Sequence, residues 1–131
     1  MGSPLGSPGP VRVVLADDSD EMRSLLRWAL ERDEAIRVLG EAADAASVVG
    51  LVTELRPDVL LLDLQMPGMT PGELLEAAAR AAPGMSVVTF SGYEPHLVAP
   101  DQASLVRLHV PKTTDLALVR EAVVGLAYGM G

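Results

Sequence analysis

The apolar positions change period repeatedly along the chain. Val11–Ala16 is a short, β-branched apolar run with the character of a strand. Met22, Leu25, Leu26, Ala29 and Leu30 then recur at helical spacing, which predicts a helix over about 19–32. Ile36–Ala42 reads as a second strand, and Asp44 is placed to cap a helix that carries Val48, Val52 and Leu55 and stops at Pro57. Val59–Leu62 has no polar position, the pattern of a strand covered by helices on both faces. Thr70-Pro71-Gly72-Glu73 predicts a helix start, with Thr70 as the cap, Pro71 at the first helical position and Glu73 completing a capping box. That helix should run to about residue 82 and end at Pro83-Gly84. Residues 86–90 and 105–110 read as the fourth and fifth strands. Between them, 93–104 is weakly patterned, and both Pro95 and Pro100 oppose a regular helix. Leu116, Val119, Val123 and Leu126 mark a closing helix.

Five strands alternating with helices predict an α/β domain with a parallel sheet and right-handed crossovers. The length of 131 residues allows one such domain. Residues 1–10 are Gly, Ser and Pro with a single internal Leu5, and read as a flexible leader or a cloning remnant. The folded domain is expected over 11–128, with 129–131 as a tail or the start of a linker.

Charge and composition then narrow the function. The formal net charge of −8 has the wrong sign for phosphate backbones, so direct nucleic-acid contact by this segment is not expected. No apolar run has the length of a membrane span, and no basic-then-apolar leader opens the chain, so no membrane contact is expected and a cytoplasmic setting is the default. The absence of cysteine excludes disulfides, thiolate metal sites and thiol nucleophiles. Lys112 is the only lysine, which draws attention to it.

In parallel α/β sheets the chemistry lies at the carboxyl ends of the strands. The first strand ends in Asp17-Asp18-Ser19, the third in Asp63, the fourth in Ser91-Gly92, and Lys112 follows the fifth. Three gathered carboxylates repel one another unless one is protonated or a cation sits among them. Oxygen donors without a nearby His suit a hard ion such as Mg²⁺. A hydroxyl and an ammonium opposite would suit an anion, and an aspartate can be a phosphoryl-accepting nucleophile. Each feature alone has an ordinary structural explanation as a helix cap, a satisfied hydroxyl or a solvated lysine. Their placement at four strand ends is what points to phosphoryl transfer.

Over about 11–128 the chain resembles the receiver domain of two-component response regulators, through VRVVLADDSDEMRSLL, RPDVLLLDLQMPGM, VVTFSGY and the late lysine. The resemblance implies a doubly wound, flavodoxin-like five-stranded parallel sheet of order 2-1-3-4-5. It implies Asp63 as the phosphoacceptor, with Ser91 and Lys112 completing the catalytic set. Asp17, Asp18, Asp63 and the backbone carbonyl of Gln65 would hold Mg²⁺. Ser91 and His109 fall at the switch positions; Thr89 competes with Ser91, but its earlier place in the strand suits a buried residue better. The implied partners are a sensor histidine kinase or phosphotransfer protein, with homodimerisation on activation. LADD, VLGEA and the third-strand motif look most like receivers joined to a LuxR-type helix-turn-helix, which implies transcription as the output, through a DNA-binding domain outside this chain. Mg²⁺-dependent self-phosphorylation and dephosphorylation are implied, not a stand-alone enzyme.

Two departures bear on switching. Pro111 precedes the lysine and Thr113 follows it, whereas the family has Pro after the lysine, so the family's cis peptide should be absent. Pro100 falls where the fourth helix should continue, predicting an irregular fourth helix on the output face. The competing function is therefore a divergent receiver acting as a phosphorylation-independent interaction or dimerisation module. A small-molecule phosphatase with an aspartyl nucleophile fits worse, because Asp17-Asp18-Ser19 lacks the Asp-x-Asp pattern and no cap domain is expected. His96 matches no motif and reads as a surface loop residue, and Trp28 lies off the apolar stripe of its helix.

Overall fold

The computed structural model describes residues 9–92, 99–112 and 115–127. Five parallel strands form one sheet in the order β2-β1-β3-β4-β5. The strands are β1 Val11–Ala16, β2 Ile36–Ala42, β3 Val59–Leu62, β4 Ser86–Ser91 and β5 Leu108–Pro111. They alternate with α1 Asp20–Glu31, α2 Ala45–Leu55, α3 Pro71–Ala81, α4 Pro100–Ala103 and α5 Leu116–Ala127.

The sheet's period of two sorts its side chains into two cores. Leu60 and Leu62 of β3 pack with Val48 and Val52 of α2 and with Leu74, Leu75 and Ala78 of α3. Val59 and Leu61 face the other way, toward Leu26 and Leu30 of α1 and Val119 and Val123 of α5. All four residues of β3 are buried, as its unbroken apolar run predicts. The order reverses at β1, which has β2 on one side and β3 on the other. The loops leaving β1 and β3 therefore diverge at a crevice, the usual ligand position in such sheets.

Local signals set the helix starts. Ser19 caps α1, its Oγ accepting from the Met22 amide at 3.1 Å. Asp44 caps α2 through the Ser47 amide at 2.9 Å. At α3 both arms of the capping box form: the Glu73 amide donates to Thr70 Oγ1 at 3.2 Å, and the Thr70 amide donates to Glu73 Oε1 at 3.0 Å. Gly68, with φ of 108°, turns the β3–α3 loop, and the Ala45 amide donates to Pro67 O at 3.0 Å, tying that loop to the start of α2. A left-handed φ of this kind favours glycine.

Three expectations need correction. β5 begins at Leu108, not at 105. Leu105 and Val106 belong to a turn, their amides bonded to Gln102 O and Ala103 O, and their apolar side chains pack against the α2–α3 core. They are hydrophobic because they lie under a turn, and the Arg107 amide, bonded to Val87 O at 2.8 Å, brings the chain into the sheet. β4 runs one residue further than expected, to Ser91, which pairs with Pro111. Pro100 does not interrupt a helix: it occupies the first position of α4, after extended Ala99, where its missing N–H costs nothing. The described fourth helix is a single turn, and in that sense irregular. Pro95 and His96 lie outside the described residues, as do residues 1–8 and 128–131. Trp28 is exposed, with Arg32 stacked over its ring at 4.7 Å. Among the described residues, no helix is long and apolar enough to cross a membrane.

Candidate functional site

β1 and β3 are neighbours, and the Asp63 amide donates to Ala16 O at 2.8 Å. The chain thus leaves both strands at one level, which brings Asp17, Asp18 and Asp63 together. A carboxylate oxygen from each lies within 4.8 Å of the others. Asp17 and Asp63 are buried and Asp18 is exposed, so the cluster opens to solvent on the Asp18 side.

Each buried carboxylate is held by the backbone that follows it. Asp17 Oδ1 accepts from the Ser19 amide at 2.9 Å, and Asp63 Oδ1 accepts from the Gln65 amide at 2.9 Å. These local bonds fix the rotamers and leave both Oδ2 atoms facing inward. Lys112 meets them there. Its Nζ donates to Asp63 Oδ2 at 3.0 Å and lies 2.8 Å from Asp17 Oδ2. The Asp17 approach is a contact of charges, not an aligned hydrogen bond: Asp17 Oδ2 is buried and accepts none. Burial pushes the Lys112 ammonium down, but Asp17 and Asp63 outweigh it and hold its pKa above the ordinary lysine value. Lys112 is therefore charged at neutral pH.

Pro111 does not displace this lysine. β5 is an edge strand, where a missing N–H is tolerated, and the Lys112 amide donates to Ser91 O at 3.2 Å, extending the ladder by one step. The Lys112–Thr113 peptide lies outside the described residues. Ser91 is buried at the end of β4, level with Pro111.

Thr89 is buried on the same strand face as Ser91, two residues earlier. It pairs with His109 across the sheet, and Thr89 Oγ1 lies 2.6 Å from His109 Nδ1. The imidazole is thus tied to Thr89. Sequence reasoning placed both residues but missed the bond, because only the β4–β5 register makes them opposite.

The donor set fits a hard divalent cation. Three carboxylates face one ammonium, which leaves an excess of negative charge. The buried Asp17 Oδ2 has a charge nearby but no directed donor. Oxygen ligands of this kind suit Mg²⁺. An open cleft of about 390 Å³ runs from the exposed side of the cluster, lined by Asp18, Gln65, Met66, Pro67 and Met69 among others.

Sequence reasoning passed over Arg23. Its guanidinium bonds the Asp17 carbonyl at 2.6 Å, Glu41 Oε1 at 3.1 Å and Asp20 Oδ1. A cation one turn from a helix N-terminus sits against the helix dipole, and that anomaly was the available signal.

The family model for the response regulator receiver domain matches residues 13–122. The chain is 45% identical over 114 residues to protein-glutamate methylesterase/protein-glutamine glutaminase 5 of Myxococcus xanthus, covering 85% of this chain and 32% of that protein. It is 28% identical over 112 residues to the uncharacterised transcriptional regulatory protein YhcZ of Bacillus subtilis, covering 84% of this chain and 52% of that one. The chain therefore spans about a third to a half of the length of these curated relatives. Among solved structures, the signal receiver domain of NarL from Mycobacterium tuberculosis aligns with a TM-score of 0.82 at 31% identity, covering 93% of this chain and 99% of that one.

Proposed function

The chain belongs to the response regulator receiver domains, and from that premise we propose that it accepts a phosphoryl group onto Asp63 from the phosphohistidine of a sensor histidine kinase or phosphotransfer protein. One observation carries the proposal: Asp63 is a buried carboxylate held on one oxygen by the Gln65 amide and on the other by Lys112, beside two further aspartates. In the transfer, a carboxylate oxygen of Asp63 attacks phosphorus, the P–N bond breaks, and the donor imidazole leaves with the electron pair. Asp17, Asp18, Asp63 and the Gln65 carbonyl would hold Mg²⁺, which when bound neutralises charge on the phosphoryl oxygens. Lys112 exchanges its pairing with Asp63 for a phosphoryl oxygen, and the Ser91 hydroxyl binds another.

The acyl phosphate then biases an equilibrium between two conformations. Ser91 and His109 are the switch pair in this scheme. His109 must give up or rearrange its bond to Thr89 if its ring is to turn, so Thr89 joins the switch as the group that holds the resting state. Homodimerisation on activation and a cytoplasmic setting complete the proposal. The domain takes part in its own phosphorylation and dephosphorylation and is not itself a turnover enzyme.

The output is a separate question. The sequence motifs favour transcription, as in the Bacillus regulator, while the 45% identical Myxococcus relative is a methylesterase. Phosphoryl chemistry needs the same aspartates, hydroxyl and lysine whatever domain they control, so these residues do not choose between outputs. The rival reading, a phosphorylation-independent interaction module, draws on the single-turn α4 and on the imidazole of His109 at the switch position, tied to Thr89.

Acetyl phosphate with Mg²⁺, followed by intact mass, tests the proposal. The expected product carries one phosphoryl group that hydroxylamine removes, as it removes acyl phosphates. A chain that stays unmodified, and whose spectra do not respond to beryllofluoride, is the interaction module instead.

Mg²⁺ should also stabilise the domain, because a ligand that binds only the native state adds stability by mass action, about 2.7 kcal/mol at a hundredfold excess over Kd. Asp18→Ala should lose most of that gain while retaining the parent stability in EDTA, since Asp18 is exposed. Thermal midpoints with and without Mg²⁺ decide it. A parent midpoint that ignores Mg²⁺ would mean a degenerate site.

A further inference from the structure

Resting on the phosphoacceptor reading above, we propose that Arg23 is a positioning residue for the cation site, clamping the Asp17–Asp18 peptide so that the Asp18 carboxylate is aimed into the cluster. Among the described residues, no hydrogen bond holds the Asp18 side chain, which is exposed. Its direction is then set by the backbone that carries it. That backbone is held on both sides of Asp17. The Asp17 amide donates to Ala42 O at 3.1 Å, and the Asp17 carbonyl accepts from Arg23 Nη1 at 2.6 Å. The first bond continues the sheet; the second is made by a side chain alone.

Arg23 is itself immobilised. Nε donates to Glu41 Oε1 at 3.1 Å at the end of β2, and Nη2 donates to Asp20 Oδ1 in the first turn of α1. Its side chain is only 13% exposed. One planar fork thus ties together the end of β1, the start of α1 and the end of β2. A lysine keeps the charge but cannot meet three acceptors in this geometry.

Arg23 acts on a bound cation in two opposing ways. As a positive charge it repels Mg²⁺, so its removal should tighten binding. As a clamp it presents the ligands, so its removal should loosen binding. Loss of groups that orient metal ligands typically weakens metal affinity about 10–100-fold. The repulsion is the weaker effect, because the guanidinium is already paired with the carboxylates of Asp20 and Glu41, which offset its charge. The clamp should therefore dominate.

Mg²⁺ titration by calorimetry on the parent, Arg23→Ala, Arg23→Lys and Arg27→Ala tests this. Arg27 shares Glu41 with Arg23, at 2.7 Å, but does not touch Asp17, so it is the control for the ion-pair network. The expected result is a loss of about 10–100-fold in both Arg23 variants and parent-like affinity in Arg27→Ala. Amide exchange at Ser19, whose N–H is bonded to Asp17 Oδ1, should speed up in both Arg23 variants without metal. That readout does not depend on phosphorylation, and the lysine variant decides if the alanine variant does not fold. Parent-like affinity in Arg23→Lys, with tighter binding in Arg23→Ala, would show that only charge matters and overturn the role of Arg23 alone. A parent that binds no Mg²⁺ would overturn the reading of the site and this role with it.

Discussion

Asp63→Asn is expected to abolish phosphorylation while leaving the fold intact. The amide is isosteric with the carboxylate, so its oxygen can still accept from the Gln65 amide, as Oδ1 does at 2.9 Å. The amide nitrogen then stands where Oδ2 did and, as a donor, cannot accept from Lys112, so the ammonium must turn from it; Asp17 at 2.8 Å keeps it paired. Removing one of three crowded carboxylates also relieves repulsion, which offsets part of the lost pairing. Chemistry suffers where stability does not. An amide oxygen is a poor nucleophile, and the acyl phosphate it would have to form cannot exist on an amide in stable form. The hydroxylamine-labile phosphoryl group should therefore disappear from the mass spectrum after acetyl phosphate and Mg²⁺. Circular dichroism and the urea midpoint, little changed, would show that folding is not the cause. Equal labile phosphorylation of the variant would transfer the role to another carboxylate, with exposed Asp18 the next to test.

How much of this arrangement is legible in the sequence depends on how local each signal is. The α3 start is written in four consecutive residues, and both arms of its capping box form. β3 is written in four consecutive apolar residues whose burial on both faces follows from their lack of alternation. The acidic cluster is legible because strand ends are legible, and a parallel sheet puts successive strand ends at one edge. Where the expectation slips, the cause is tertiary. Leu105 and Val106 are apolar for a turn that packs on the α2–α3 core, and no period distinguishes that from a strand. Pro100 has the same local chemistry whether it opens a helix or breaks one; the extended Ala99 before it decides. The Thr89–His109 bond needs the β4–β5 register, and the Arg23 clamp needs three acceptors from three segments. Residue types for the chemistry can be read in order along the chain, but the groups that orient them cannot.

Lys112→Ala should cost stability in a way that Mg²⁺ repairs. Lys112 is the ammonium that faces the buried oxygens of Asp17 and Asp63, at 2.8 and 3.0 Å. Its removal leaves two carboxylates buried side by side with no cation, and uncompensated buried charge is costly. Fully buried pairs lose about 3–5 kcal/mol when one partner is deleted. The lysine side chain is 26% exposed, so water screens part of the interaction, and about 1–3 kcal/mol is the expected loss at neutral pH in EDTA. The sign reverses for the metal. Without the ammonium, a divalent cation meets a more negative site and finds Asp17 Oδ2 and Asp63 Oδ2 both unclaimed. The Mg²⁺-dependent gain in stability should therefore be larger in the variant than in the parent, closing part of the gap between them. Urea unfolding of both proteins, in EDTA and in saturating Mg²⁺, forms a cycle whose coupling term measures the competition directly. The same variant should still accept a phosphoryl group, since Asp63 is intact, but its spectral response to beryllofluoride should shrink because the group that pairs with the phosphoryl oxygens is gone. A variant as stable as the parent in EDTA, or one that gains no more from Mg²⁺ than the parent does, would mean that the ammonium and the cation do not compete for these oxygens, and that Lys112 serves the site after phosphorylation only.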